Sequence, residues 1–404
     1  MSKAFEDTVY LFACAARGID FDKEAVPGFE RIYELAAQQN IWTVIYPLIS
    51  KLKAEGKIEI PEHMQKQVET DFFRKYTFFN NRRENARRLF DGLRKSDIRF
   101  CLLKGDSVAQ YYAEPLCRGS SDIDIKIEPE DADECTRFLE QNGYRVHPLK
   151  PGHHHFECVH PMYGLLEVHV SFCMDITNAI CFKNTISYNE EYREEDIAGI
   201  GRVNLMGYTD GLVFLIMHYI KHFISSGAGI RQIMDIALYY ENNKEHINMQ
   251  QVRQLTAEWG FSEFLNVIFE IADKYLMSDI PLAKTNAEKT KQVMQDIEMG
   301  GVFGYVDVSR IDFYRFYLKL RAEEVGVNSA IKHNSLVWRI FLPVKELEQR
   351  VPCLKKCRLL YPFAVVKNAL TVMSARAQRR KLVAQAEQTH IDDRLTMLKD
   401  VGLL

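Results

Sequence analysis

Apolar positions recur at helical spacing through roughly the first 96 residues. Tyr10, Leu11, Cys14 and Ala15 fall on one helical face, with Cys14 serving as a small hydrophobe. Pro27 opens a second helix over residues 27–39, where its missing N–H costs nothing. Pro61 opens a long third helix. Its apolar positions Phe72, Phe73, Tyr76, Phe79, Ala86, Leu89 and Leu93 approximate a 3.6-residue period. The pattern changes at Ile98. Residues 98–103 read as a short buried strand and residues 105–114 as a helix. Residues 121–127 alternate strictly, as a strand with one apolar face does. Residues 128–144 form a helix with an acidic first turn, favourable at the positive end of its dipole, and Asn142-Gly143 stops it. Strands follow at 154–160 and 165–172, joined through Pro161 and Gly164. From Thr209 the chain is helical again. Thr209 or Asp210 caps residues 211–224, and Asp235 lies in the next helix, 230–240. Pro281, Pro343, Pro352 and Pro362 punctuate the remainder. The predicted fold class is α+β. A small mixed β-sheet core, residues 97–206, lies between an N-terminal helical region, 1–96, and a C-terminal helical region, 207–404.

Composition narrows the setting. The length of 404 residues accommodates two or three domains at roughly 100–200 residues each. A formal charge of -3 gives no global pull toward nucleic acid or anionic lipid, so such binding would need a local patch. The first residues contain two acids and no sustained apolar run, unlike a secretory signal. No uncharged apolar run reaches the roughly 18 residues of a membrane span. The nine cysteines are scattered and form no CxxC pair, which suggests reduced thiols and a cytoplasmic location.

The chemistry concentrates in the predicted sheet. Asp122 and Asp124 stand at i and i+2 of one strand, so both point the same way with Cα atoms about 6.5–7 Å apart. Two carboxylates at that spacing repel by about 2.5 kcal/mol at an effective dielectric near 20. A cation offsets that cost, and Mg²⁺ suits carboxylate oxygens while leaving positions for phosphates. The alternative is a solvated strand face continued by Lys126 and Glu128. Lys104-Gly105-Asp106-Ser107 follows a buried strand and opens a helix, a geometry in which backbone approaches phosphate; it also suits an ordinary strand–helix turn. Arg118, with its planar fork, suits either a phosphate or an internal ion pair. Glu167, His169 and Ser171 share one face of a later strand, where Glu167 completes a metal site or stands as an exposed acid.

The order LKG, then RGSSDIDI, then LEVH resembles the DNA polymerase beta-type nucleotidyltransferase superfamily, and within it a bacterial branch described only as nucleotidyltransferase family protein. The motifs cover residues 98–172. Weaker likeness extends to 218–222, 230–240 and 341–363. The resemblance implies that Asp122, Asp124 and Glu167 are the catalytic and metal-binding acids. It implies two Mg²⁺ ions, with Mn²⁺ as the substitute. It places Lys104 and Gly105 beside the phosphate site; Ser107, Arg118, Ser121 and His169 are further candidates for substrate binding. The implied reaction moves a nucleoside monophosphate from an NTP to a hydroxyl-type acceptor and releases pyrophosphate. Lack of net basic charge favours a small-molecule or protein acceptor over RNA. Two departures stand out. The superfamily's Gly-Ser turn is here Gly105-Asp106-Ser107, and the third acid is Glu where Asp is more common. The displaced serine keeps open a catalytically silent nucleotide-binding regulator; a toxin-type enzyme acting on RNA or a host protein is the other alternative.

Several features fall outside these motifs. In the triplet His153, His154 and His155 only the first and third can share a strand face, so zinc binding competes with a cleft-edge position. His218 and His222 stack at i and i+4, without the Glu of a zinc-protease motif, and read as core packing or as a nucleotide contact. Arg231 and Asp235 have the spacing of a helical ion pair. Arg350, Lys355, Lys356, Arg358, Lys367, Arg376, Arg379, Arg380 and Lys381 form a basic stretch that suits a solvated helix face before RNA, an acidic partner or a membrane surface. Tyr314, Phe316 and Tyr317, near Lys319 and Arg321, read as helix core.

Overall fold

Ser2 accepts a hydrogen bond from the Phe5 N–H and starts α1 (Lys3–Arg17); Gly18, at φ 68°, ends it. In the computed structural model the described residues are 1–23, 28–149, 154–171, 192–225, 227–281, 286–302, 347, 360–370, 373 and 388–403. The chain divides into two units, Met1–Val306 with Thr396–Leu404, and Asp307–Leu395. In α1 the buried face runs through Phe5, Val9, Leu11, Phe12 and Cys14. Tyr10 and Ala15, expected on that face, are half-buried, and the Tyr10 hydroxyl turns outward to Asp22 at 2.5 Å. α2 (Phe29–Gln38) begins after Gly28; Pro27, its expected start, lies outside the described residues. A separate helix, α3 (Trp42–Ala54), follows. Pro61 does cap the long α4 (Glu62–Lys95), which spans about 51 Å at 1.5 Å per residue. Val68, Phe72, Ala86, Leu89, Phe90 and Leu93 are buried along it, whereas Phe73 is 53% exposed.

The seven-stranded sheet has the order β3-β4-β5-β2-β1-β7-β6. Its strands are β1 (Phe100–Leu102), β2 (Asp122–Ile127), β3 (Arg145–Val146), β4 (His155–His160), β5 (Gly164–His169), β6 (Tyr192–Ile197) and β7 (Gly201–Met206). β2 pairs parallel with β5 and β1 pairs parallel with β7, while the other neighbours are antiparallel. Between β1 and β2 the expected ten-residue helix shrinks to one turn, α5 (Asp106–Ala109). Beyond Ala109 the backbone closes i→i+3 turns, Tyr111 N to Val108 O at 3.0 Å and Tyr112 N to Ala109 O at 3.1 Å, in place of the α-helical ladder. Between β2 and β3, α6 (Ala132–Gln141) ends at Asn142, and Gly143 takes φ 86°. Ile123, Ile125 and Ile127 join Leu89, Phe90 and Leu93 of α4 and Cys135 and Leu139 of α6 in one apolar cluster. The opposite face of β2 carries Asp122, Asp124 and Lys126. That face is covered, not solvated: Asp124 is 1% exposed and Lys126 4%.

β6 and β7 complete the sheet where the pattern analysis placed no strand. β6 reads YREEDI, and its charges sit on an edge strand, where such residues guard against further pairing. The later helices of this unit are α7 (Tyr208–Ser225), α8 (Ile230–Asn243), α9 (Met249–Glu258), α10 (Ser262–Leu276) and α11 (Ala287–Gly300). Thr209 and Asp210 lie inside the first turn of α7 rather than before it. In the second unit Leu347, Ala364 and Val365 form a small apolar cluster with Tyr361. Residues 314–321, and the basic stretch apart from Lys367, lie outside the described residues. Among the described residues no helix is long and apolar enough to cross a membrane.

Candidate active site

Parallel pairing of β2 with β5 sets Asp124 directly opposite Glu167. His169, two residues on, turns the same way; its Nε2 lies 3.3 Å from Asp124 Oδ1 and 3.7 Å from Glu167 Oε2. One donor atom from each of Asp124, Glu167 and His169 falls within 4.8 Å of the others. Asp122 stands outside this trio, at the start of β2. Lys104, just past β1, joins it to the group: its Nζ lies 3.2 Å from Asp122 Oδ2 and 3.0 Å from Asp124 Oδ2. The carboxylate repulsion expected from the sequence is thus offset by an internal cation. Gly105 follows at φ 72° and ψ −106°, a conformation closed to residues with a side chain.

The charges are strongly biased. Burial opposes ionisation of Asp124, but the Lys104 charge and the His169 hydrogen bond outweigh it and hold this carboxyl below the usual range. Burial pushes Glu167 the other way, up to about 8, reinforced by the negative charge of Asp124 and opposed by Lys104. Burial disfavours the Lys104 ammonium, yet Asp124, Asp122 and Glu167 more than compensate and keep it charged. Asp124 Oδ2 is buried and meets the Lys104 ammonium at 3.0 Å. Two carboxyls and an imidazole with donor atoms within 4.8 Å of one another are a set that fits a divalent cation.

The surrounding loop departs from expectation in three places. Ser107 turns away from the acids: its Oγ donates to Leu103 O at 3.5 Å, and it lines a small cavity with Val108, Leu205 and Tyr239. Ser120 stands beside Gly105 instead, donating its Oγ–H at 3.0 Å to Asp122, while Ser121 Oγ lies 3.3 Å from Asp122 Oδ1. Arg118 takes the internal pair of its two readings. It grips Asp235 through Nε at 3.1 Å and Nη2 at 2.5 Å, with both side chains 5% exposed, and the Tyr112 hydroxyl adds a 2.8 Å bond to the same carboxylate. Arg231 does not pair with Asp235 but donates to Gly119 O at 2.6 Å. Arg82, buried on α4 and passed over in the sequence, donates to Asp122 O and to Asp106 Oδ2. An Arg in a long helix, 40 positions from the strand it holds, gives no local signal.

Residues 27–277 match the model of a family described as uncharacterised nucleotidyltransferase, a span that takes in more than half of the chain and every residue above. The chain belongs to that family. No curated protein matches this nucleotidyltransferase. Among solved structures, the lincosamide antibiotic adenylyltransferase LnuA, lincomycin-bound, aligns at 16% identity over 37% of this chain and 90% of its own, with a TM-score of 0.28. ANT(2'')-Ia in complex with adenylyl-2''-tobramycin aligns at 14% identity over 42% of this chain and 92% of its own, with a TM-score of 0.31. An antigenic nucleotidyltransferase-like protein from Paracoccidioides brasiliensis aligns at 16% identity over 49% and 93%, with a TM-score of 0.32. The assignment rests on the family match alone.

Two further groups of histidines border the nucleotidyltransferase site. His218 and His222 of α7 stack with ring centroids 4.4 Å apart. Burial, then the Lys104 charge, pushes His218 well down and His222 to about 3, so both are neutral near pH 7. This stacking and burial are in keeping with the core-packing reading that the helical spacing favours over nucleotide contact. In the triplet, the neighbours that meet are His154 and His155, with Nε2 and Nδ1 3.1 Å apart. His154 precedes β4, which starts at His155, so strand alternation does not govern this pair; His153, expected to share a face with His155, lies outside the described residues.

Proposed function

We propose that this nucleotidyltransferase moves a nucleoside monophosphate from an NTP to a hydroxyl of a small-molecule or protein acceptor, releasing pyrophosphate. One observation supports the reading above others: a fully buried Asp124 faces Glu167 across adjacent parallel strands, with Asp122 and Lys104 at hand. Asp122, Asp124 and Glu167 would hold two Mg²⁺ ions, with Mn²⁺ as substitute. Bound Mg²⁺ would neutralise triphosphate oxygens and lower the cost of charge on the transferring phosphoryl group. Glu167, facing Asp124 across the paired strands, would accept the proton of the attacking hydroxyl. Lys104 supplies positive charge to the departing pyrophosphate. Gly105 lets the triphosphate approach backbone, with Ser120 and Ser121 lining the same loop. Arg118 and Arg231 act through position, fixing the 118–121 loop against α8, rather than by touching phosphate. His169 orients Asp124 and limits rotation of its carboxylate. Ser120 in place of the displaced Ser107 supports catalysis over silent nucleotide binding. Free buried Cys14, Cys101, Cys117, Cys135 and Cys158 support a reducing, cytoplasmic setting.

The test is incubation of the full chain with each of four α-labelled NTPs, Mg²⁺ and a cell extract, followed by identification of the labelled product. Expected are transfer of label from one or more NTPs and its loss in Asp124→Asn. Transfer by Asp124→Asn at the wild-type rate, or no transfer from any NTP, would overturn the proposal.

A further inference from the structure

The histidine triplet is not absorbed by the carboxylate chemistry. His155 opens β4 and His169 closes β5, and the antiparallel register sets these two residues directly opposite each other. One residue beyond, Val170 N donates to His154 O at 2.8 Å, so the ladder hydrogen bonds also fix the backbone at His154. The result is three imidazoles packed ring against ring. Centroids lie 4.5 Å apart for His154–His155, 5.4 Å for His154–His169 and 5.3 Å for His155–His169. His154 is 6% exposed and His169 9%, while His155 is half-buried at the open side.

We propose that His154, His155 and His169 form a zinc site separate in chemistry from the carboxylate site. One ring nitrogen from each residue lies within 4.8 Å of the other two. Tetrahedral Zn²⁺ with Zn–N distances of about 2.0–2.1 Å needs nitrogen pairs about 3.3–3.4 Å apart. The His154–His155 pair, at 3.1 Å, is already near that spacing, and small ring rotations at His169 supply the rest. Three protein nitrogens leave a fourth position for water. Neutral imidazoles select a borderline cation such as Zn²⁺, whereas Mg²⁺ prefers all-oxygen surroundings. Two adjacent centres therefore sort ions by ligand type. They share His169: its Nε2 bonds Asp124 at 3.3 Å, so zinc drawn onto that nitrogen competes with the hold on the buried carboxylate. Zinc binding itself stands apart from the transferase reading, because it needs neither NTP nor acceptor.

The experiment uses the tag-free full chain, freed of metal by chelator and titrated with ZnCl₂ alone by calorimetry. Co²⁺ substitution provides an optical check, through the intense visible bands of a tetrahedral ion. The expected result is one zinc per chain in wild type. In His154→Gln/His155→Gln the affinity is expected to fall by more than about 100-fold, since removing even an outer-shell partner costs roughly 10–100-fold. His155→Gln alone, at the more open position, is expected to lose affinity with its circular dichroism unchanged. Asp124→Asn is expected to bind zinc within a few-fold of wild type. Three outcomes would overturn the proposal: no zinc uptake by wild type, equal affinity in a folded double histidine variant, or loss of zinc in Asp124→Asn as complete as in that variant. The last would place the ion among the carboxylates.

Discussion

At the scale of single residues, the balance around Lys104 decides what each neighbour can do. One ammonium lies within 3.2 Å of two carboxylates, so its removal leaves both acids uncompensated. Their mutual repulsion is about 2.5 kcal/mol at an effective dielectric near 20. Lys104→Met is therefore expected to melt at lower temperature than wild type in chelator. Added Mg²⁺ is expected to recover more stability in the variant than in wild type, where Lys104 already provides charge. Equal Mg²⁺ effects on the two proteins, read by thermal melts, would refute the cation-offset argument. For turnover, Asp122→Ala and Asp124→Ala are each expected to cost on the order of 10³-fold, the scale of losing one electrostatic group at a reacting centre. Rates of label transfer under saturating NTP provide the check.

At the scale of elements, the loop before β2 is held by buried contacts from two helices. Arg118 and Arg231 tie it to α8, and Phe79 of α4 packs so closely that a Cβ on Gly119 would meet its ring at 1.8 Å. Breaking a buried ion pair by deleting one partner costs about 3–5 kcal/mol, because the remaining charge stays desolvated. Arg118→Met is expected to show that loss in urea unfolding, and Asp235→Asn, which keeps the shape, a smaller one. A stable Arg118→Met with unchanged midpoint would mean that the pair does not hold the loop. α7 has its own signature in pH. His218 and His222 have folded pKa values below the ordinary 6.5, so the unfolded chain binds protons that the native chain does not. Stability accordingly falls as pH drops below 6.5, and for His222 this continues to about 3. The slope is at most about 1.4 kcal/mol per pH unit for each imidazole. Urea midpoints at pH 7 and pH 5 are expected to differ less in His222→Gln than in wild type.

At the scale of the whole molecule, the first unit is closed by residues far away in sequence. Thr396–Leu404 belongs to it, with Met397, Leu398, Val401 and Leu403 buried. Fully burying one such side chain contributes about 1.5–3 kcal/mol, so deleting residues 396–404 is expected to lower the melting temperature sharply. A truncated chain that melts with wild type would show that this segment adds nothing. The family match, 27–277, ends before that segment, yet it contains the sheet, the acids and the helices that border them. The proposed acids all lie in the first unit, while in the Asp307–Leu395 unit Leu347, Ala364 and Val365 form a small apolar cluster.

The sequence by itself determined the positions of the acids and the strands that bear them. Strict alternation in SDIDIKI and LLEVHV fixes which side chains share a face, because a strand repeats every two residues. It also determined the α+β class and the start of α4 at Pro61. Tertiary structure decided the partnerships. Whether Arg118 met a phosphate or Asp235 depended on α8 lying beside the loop, and no local pattern encodes that. The exchange of Ser107 for Ser120, the reach of Arg82 to Asp122 O and the meeting of His154 with His155 likewise arise where separate elements converge. β6 and β7 escaped notice because a charged edge strand carries little apolar signal, and its pairing is made with residues far along the chain. Periodicity reports which way a side chain points; only the packed molecule fixes what it meets there.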